Sequence, residues 1–271
     1  MGAFESGQPV SLGSVETTLV RDSAGHLSSG AIFAMDAHRH DPSILPLPGF
    51  RLAWSDDFEG SSLSTKDWEY RTDTKMWSTQ LSENVSVSES CVHLGLKKEA
   101  RNGRNYTGAG VISRRTFGYG YFEARFRVPP GSGWHTSFWL MTHDGSGSTD
   151  PRDSALELDI CEQDSVNVRQ YTLNFHRWQG DHLERGFTVI PTPDLSADYH
   201  VWGCHFTANK VTWYFEGNEV RQIDISDMPF KEMHLWLTSI ASPLGETPHV
   251  DDAALPAEAS FDWVRYYQPA E

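Results

Sequence analysis

The segment Leu156-Glu157-Leu158-Asp159-Ile160-Cys161-Glu162 places three carboxylates in an otherwise apolar run. Such a run reads as a buried strand, and along a strand successive side chains leave opposite faces. Glu157 and Asp159, two apart, then share one face, while Leu158 and Ile160 enter the other. Glu162 lies at odd spacing from Glu157, which in a regular strand turns it into the core. One extra residue at Ile160-Cys161, a β-bulge, returns it to the face of the other two acids. Three like charges on one face repel unless one is protonated or a cation is bound, and a carboxyl that keeps its proton is what a general acid needs. Cleavage of a glycosidic bond uses such a pair: a carboxylic acid protonates the leaving oxygen, and a carboxylate attacks the anomeric carbon or activates water. The competing readings are a solvated acidic strand edge, and a metal site built from Glu157, Asp159, Glu162 and His176 for metal-assisted hydrolysis.

The elements that must position these acids read as strands. Val92, Leu94 and Leu96, then Phe122, Ala124, Phe126 and Val128, alternate with other residues at the period of a half-buried strand. Val211, Trp213 and Phe215 repeat the pattern, and Glu216-Gly217-Asn218-Glu219 precedes Val220-Arg221-Gln222-Ile223, which predicts a hairpin. Phe261-Asp262-Trp263-Val264-Arg265-Tyr266-Tyr267 supplies a final strand, and no long stretch carries a helical period. Many short strands between Gly- and Pro-containing turns predict an all-β sandwich of two antiparallel sheets. Residues 1–46, rich in Gly, Ser, Asp and His, read as an irregular extension, and the sandwich domain is expected over 47–271.

Charge narrows the partners. With 37 acidic against 22 basic residues, a net of -15, the long-range field repels nucleic acid and anionic membranes. No apolar run approaches the roughly 18 residues of a membrane span. A local cluster such as Arg114, Arg115 and Arg177 could still hold an anionic glycan within a Debye length of about 8 Å. Cys91, Cys161 and Cys204 are odd in number and widely spaced, offering neither a disulfide framework nor a zinc site. His38, His40, His135 and His143 lack metal-ligand spacing to any cysteine or acid. No basic n-region followed by an apolar h-region is visible at the N-terminus, so no signal peptide is read there.

The bulged E-x-D-x-x-E resembles the signature of glycoside hydrolase family 16, and the resemblance runs over roughly residues 50–268. Phe50-Arg51-Leu52-Ala53-Trp54-Ser55-Asp56-Asp57-Phe58-Glu59-Gly60 resembles that family's opening strand, and Phe117-Gly118-Tyr119-Gly120-Tyr121-Phe122-Glu123-Ala124-Arg125 its Y-G-x-F-E-x-R strand. Phe138-Trp139-Leu140 looks like the aromatic strand ahead of the catalytic one, and Phe261-Asp262-Trp263-Val264-Arg265-Tyr266 like the closing strand. The resemblance implies a concanavalin A-like jelly roll and an endo-acting hydrolase that retains configuration. Glu157 would be the nucleophile, Glu162 the acid/base, and Asp159 the negative charge between them that keeps Glu162 protonated. No cofactor is implied for catalysis, and the partner would be a polysaccharide met by a monomer, secreted or periplasmic.

Sugars present apolar faces ringed by hydroxyls, so their clefts combine aromatic platforms with polar groups. Ten tryptophans exceed what one core needs, and the resemblance points to Trp139 and Trp236 as platforms, with Trp134 on the loop before them. Asn174 and His176 share a face by two-residue spacing beside the catalytic strand. The resemblance also implies one structural calcium ion, held by carbonyls near Asp57 and Ser90 and by the carboxylate of Asp262. The alternative for Asp262 is plain exposure on the last strand. Two departures bear on the substrate. Asp153-Ser154-Ala155-Leu156 is small where β-1,3-glucanases of the family carry Trp or Pro, and Gly133-Trp134-His135-Thr136-Ser137 replaces their W-P-A segment. Both move the expectation toward a β-galactan of agar or carrageenan type, with β-1,3-glucan as the other option. A transglycosylase or a non-catalytic lectin-like module on the same scaffold are the alternatives in activity.

Overall fold

A computed structural model describes residues 47–142 and 150–270, so the expected extension over 1–46, with His38 and His40, and also His143 lie outside the described residues. The strands in chain order are β1 (Phe50–Asp56), β2 (Trp68–Tyr70), β3 (Thr74–Lys75), β4 (Ser78–Gln80), β5 (Val85–Ser88) and β6 (Cys91–Leu96). They continue with β7 (Tyr106–Phe117), β8 (Gly120–Arg127), β9 (Trp134–Met141), β10 (Leu156–Asp164), β11 (Gln170–Arg177) and β12 (Leu183–Pro191). The last five are β13 (His200–Phe206), β14 (Lys210–Phe215), β15 (Asn218–Asp224), β16 (Met233–Ala241) and β17 (Ala257–Pro269). Short 3-10 turns are the helical elements among the described residues.

The strands form two sheets, as the turn-rich alternation requires. One runs β15-β14-β13-β8-β17-β6-β5 with β1 added on β17, the other β12-β11-β10-β9-β16-β7-β4-β3 with β2 added on β7. Pairing around the acids is antiparallel, and β4 runs parallel to β7. Between the sheets lies one main core, with Phe122, Phe126, Trp202, Trp213 and Tyr266 from the first sheet against Phe138, Leu140, Leu158, Ile160, Leu235 and Leu237 from the second. Burying side chains of this size at roughly 25 cal/mol per Å² of apolar surface holds the two layers together. The predicted hairpin joins β14 to β15 through Glu216 (φ 50°) and Gly217 (φ 68°), the left-handed pair that matches the twist of the flanking strands.

The register of β10 contains the expected irregularity. Asp159 pairs with Trp139 and Cys161 with Phe138 on β9, while Asp159 pairs with Asn174 and Glu162 with Thr172 on β11. The ladder therefore slips between Asp159 and Glu162 on both sides, which is a bulge at Ile160-Cys161. Both bulge residues belong to the main core, with Leu156 and Leu158. Behind the break, Trp213 of the opposite sheet donates its Nε1–H to the Asp159 carbonyl oxygen at 2.8 Å. That bond crosses the core and satisfies a backbone acceptor beside the irregular step, where an unmet carbonyl would cost about 1–3 kcal/mol.

A pair of substitutions separates this bond from mere packing. Trp202 is equally buried, yet its Nε1 has no hydrogen-bond partner. Trp213→Phe is expected to lower stability by about 2–4 kcal/mol and to depress hydrolysis strongly even where the protein stays folded. Trp202→Phe should cost stability with little change in kcat. Denaturant melts and turnover on the two variants check this, and equal kcat losses would discount the bond.

Candidate active site

Glu157, Asp159 and Glu162 line one cleft on the outer face of the second sheet, together with Arg71, Lys75, Met76, His135, Ser137, Trp139, Thr238, Ile240 and Leu244. The bulge thus places all three acids on a common face. A transverse row fixes the floor: Ile112 of β7, Trp236 of β16, Trp139 of β9, Asp159 of β10 and Asn174 of β11 follow one another in register.

The three carboxyls differ because their surroundings differ. Burial raises Glu157 from its ordinary 4.5 to about 7, and the charge of Glu162 pushes the same way, while hydrogen bonds from Trp178 and Asp159 and the charge of Lys75 oppose the rise. Burial, followed by the charges of Glu157 and Glu162, raises Asp159 well above the carboxylate range. The upward push favours the protonated form of Asp159, whose hydrogen bond to Glu157 in turn favours the ionised Glu157. Against the expected negative charge at Asp159, its enclosure between two other acids thus works toward neutrality. Burial also raises Glu162, helped by Asp164 and Glu184 and opposed by His135. Its side chain remains 26 % exposed, so it is the acid most open to an incoming oxygen.

The flanking strand β11 places its polar residues against the acids. His176 sits in register with Glu157 and puts its Nε2 3.6 Å from Asp159 Oδ2. Burial lowers His176 to about 4, so it faces the acids as a neutral ring. Its Nδ1 lies 3.1 Å from His182 Nε2. Asn174 is buried and its Oδ1 accepts from the Phe175 N–H, which commits that oxygen to the backbone.

The tryptophan expectation needs correction at two positions. Trp134 is buried in a small cluster with Leu96, Ala241 and Val250, and its Nε1 donates to the Pro130 carbonyl; it stabilises the loop and offers no face to a sugar. Trp236 lies beside Trp139 on the same face, with ring centroids 4.9 Å apart, but is fully buried, with the Arg71 guanidinium 5.6 Å over its ring. Trp139 alone of the three lines the cleft. Most of the tryptophan surplus goes into packing, since Trp68, Trp202 and Trp213 belong to the main core.

Sequence reasoning missed Trp178, Asp164 and the role of His135. Trp178 donates its Nε1–H to Glu157 Oε2 at 2.5 Å and stacks on His182 with centroids 3.9 Å apart and planes 4° apart. Its signal was present, because Asn174, His176 and Trp178 continue the same two-residue spacing. The cations at the cleft are Arg71 and Lys75, rather than Arg114, which bonds the Thr65 and Trp68 carbonyls, or Arg115, which lies over Phe117. Arg177 reaches the Asp181 carbonyl instead.

The calcium expectation finds no support at its carboxylate. Asp262, the side-chain ligand of the expected set, is ion-paired with Arg125, and nearby Arg265 Nη2 lies 3.5 Å from Asp57 Oδ1. Ser90 Oγ donates to Glu59 Oε1 at 3.4 Å. Among the described residues no three or more His, Cys, Asp or Glu are grouped to hold a metal ion, and that applies equally to the metal site considered for Glu157, Asp159, Glu162 and His176.

Residues 51–269 match the family described as β-porphyranase A–D, GH16 domain. The chain belongs to glycoside hydrolase family 16. It is 27% identical over 251 residues to a β-glucanase of Rhodothermus marinus, covering 83% of this chain and 87% of that protein. A glucan endo-1,3-β-glucosidase A1 of Niallia circulans is 22% identical, with 84% of this chain aligned to 39% of that protein. Two solved structures share the fold. SCLam, a non-specific endo-β-1,3(4)-glucanase, superposes with a TM-score of 0.72 at 21% identity, covering 82% of this chain and 92% of that one. The catalytic domain of a laminarinase from Thermotoga petrophila RKU-1 does so with 0.71 at 18% identity, covering 82% and 99%. As a family 16 member the chain is a glycoside hydrolase.

Two pH effects follow from the carboxyl cluster. The folded protein holds a proton on Glu157 up to about 7, whereas the unfolded chain releases it near the ordinary value. Stability therefore falls as pH rises from about 4.5 to 7. Glu157→Gln should raise Tm at pH 8 by on the order of 2–5 °C and change it little at pH 4, as scanning calorimetry would show. Trp178→Phe removes a hydrogen bond that favours the ionised form, so the acid limb of kcat/KM should move to higher pH.

Proposed function

We propose that this family 16 enzyme is a retaining endo-β-glycosidase that cleaves a β-galactan of the agar class, with a sulfated polymer such as porphyran as its substrate. Glu157, held by Trp178 and the Asp159 proton, attacks the anomeric carbon while Glu162 protonates the leaving oxygen. Glu162, now a carboxylate, then takes a proton from water as the glycosyl bond to Glu157 is hydrolysed. Trp139 supplies the one aromatic surface of the expected set in the cleft.

The observation that carries the substrate is the match of residues 51–269 to the β-porphyranase GH16 domain. Arg71 and Lys75 support it as cationic side chains lining the cleft of a chain of net charge -15, with Lys75 lying 3.8 Å from Asp150. Arg71 keeps a two-point bond to Asp73, at 2.7 and 2.9 Å, which orients the guanidinium. The second reading is a β-1,3- or mixed-linkage glucan, favoured by the names of the curated relatives. A polymeric substrate also favours action outside the cytoplasm.

Oligosaccharide release from porphyran, agarose, carrageenan, laminarin and mixed-linkage glucan decides the substrate. Release from porphyran or agarose is expected, and release from laminarin alone would transfer the assignment to the glucan reading. Proton NMR of the first product should show the β-anomer. Glu157→Gln and Glu162→Gln should each lower kcat by roughly 10³-fold or more, and an initial α-anomer would exclude double displacement.

A further inference from the structure

His135 stands on β9 in register with Asp164 of β10, between an aspartate and the proposed acid/base. Its side chain is 8% exposed, its Nδ1 lies 2.8 Å from Asp164 Oδ1, and its Nε2 lies 3.5 Å from Glu162 Oε1. Asp164 is itself confined. The turn after β16 carries Gly245 at φ 65°, where an added Cβ would come within 2.6 Å of Asp164 Cβ. Across β16 the register partner of His135 is the apolar Ile240. The charged groups that act on the imidazole are Asp164, Glu162 and Arg71, and Glu184 of β12 acts on the Glu162 side.

We propose that the Asp164–His135 pair is a positioning device for Glu162: Asp164 anchors the ring through Nδ1–H, and the ring directs Nε2–H at Glu162 Oε1 as a fixed imidazolium. The inference rests on the reading of Glu162 as the acid/base. A carboxylate created in a partly buried cleft is stabilised by a countercharge already in place, which needs less reorganisation than the solvent that reaches it. The need is sharpest when Glu162 has given its proton to the leaving oxygen, as the glycosidic C–O bond breaks and the Glu157 ester forms. His135 keeps both ring protons through this step. Glu162 recovers its proton from the water that releases the sugar, so the imidazolium neither gains nor loses charge over the cycle.

Electrostatics agree with this geometry. Burial disfavours the imidazolium, but the hydrogen bond and charge of Asp164 and the charge of Glu162 outweigh it and raise His135 above its ordinary value. In return His135 opposes the burial that raises Glu162. The ring thereby limits the rise at Glu162, the direction needed for one residue to serve first as acid and then as base.

The test needs no substrate. Carbon-13 NMR of the full chain labelled at glutamate carboxyls, with Glu162→Gln to assign the signal, follows Glu162 directly. In His135→Gln the Glu162 titration should move up by about one pH unit, and an unmoved or lowered titration would overturn the proposal. Should that variant fail to fold, nitrogen-15 NMR of the imidazole gives the reciprocal reading. By linkage the His135 titration should drop in Glu162→Gln, and no drop defeats the proposal. Full activity of Glu162→Gln on the polysaccharide panel would instead defeat the acid/base reading itself, which keeps the two failures apart.

Discussion

A strand has two faces and a period of two, and the active-site cleft exists because β10 breaks that period once. Residues Ile160 and Cys161 both turn into the core, and Glu162 emerges beside Glu157 and Asp159. A regular strand would have set Glu162 among the core side chains as a buried, unpaired acid. The break is supported from behind by Trp213, whose indole reaches across the sandwich to the Asp159 carbonyl. A residue in the opposite sheet, far along the chain, thereby braces the most irregular point of the site.

Gathering three acids on one face creates an electrostatic problem that the surroundings solve unequally. Burial pushes Asp159, the most enclosed, toward its neutral form, and its hydrogen bond favours the ionised Glu157. Glu157 receives a second hydrogen bond from Trp178, so the proposed nucleophile is the acid best furnished with donors. Glu162 has the most solvent and the His135 ring. The same chemical group thus acquires three states through burial, donors and nearby charge. The arrangement costs stability above neutral pH, the usual consequence of concentrating like charges where chemistry needs them.

Charge is handled differently on the other sheet. There Asp262 and Asp57 meet Arg125 and Arg265, so acids are neutralised by guanidinium groups of the chain. Arg265 also lies over the Trp263 ring, 4.0 Å from its centroid, which adds packing to neutralisation.

Local sequence determined the strand alternation, the β14–β15 turn, the family motifs and, through side-chain parity, the bulge that the acids require. These are properties of near neighbours in the chain, where the two-residue period and turn geometry leave little choice. The spacing of Asn174, His176 and Trp178 carried the Glu157 donor in the same way, although only its first two members were read from it. Tertiary structure decided the rest. Trp134 and Trp236 look like Trp139 in sequence, yet the neighbours that cover them come from distant strands. The upward push on the Asp159 carboxyl, the pairing of Asp262 with Arg125 and the approach of His135 to Glu162 likewise depend on segments brought together by sheet order. Burial and charge arise from the sum of surrounding atoms, and one strand's sequence does not contain them.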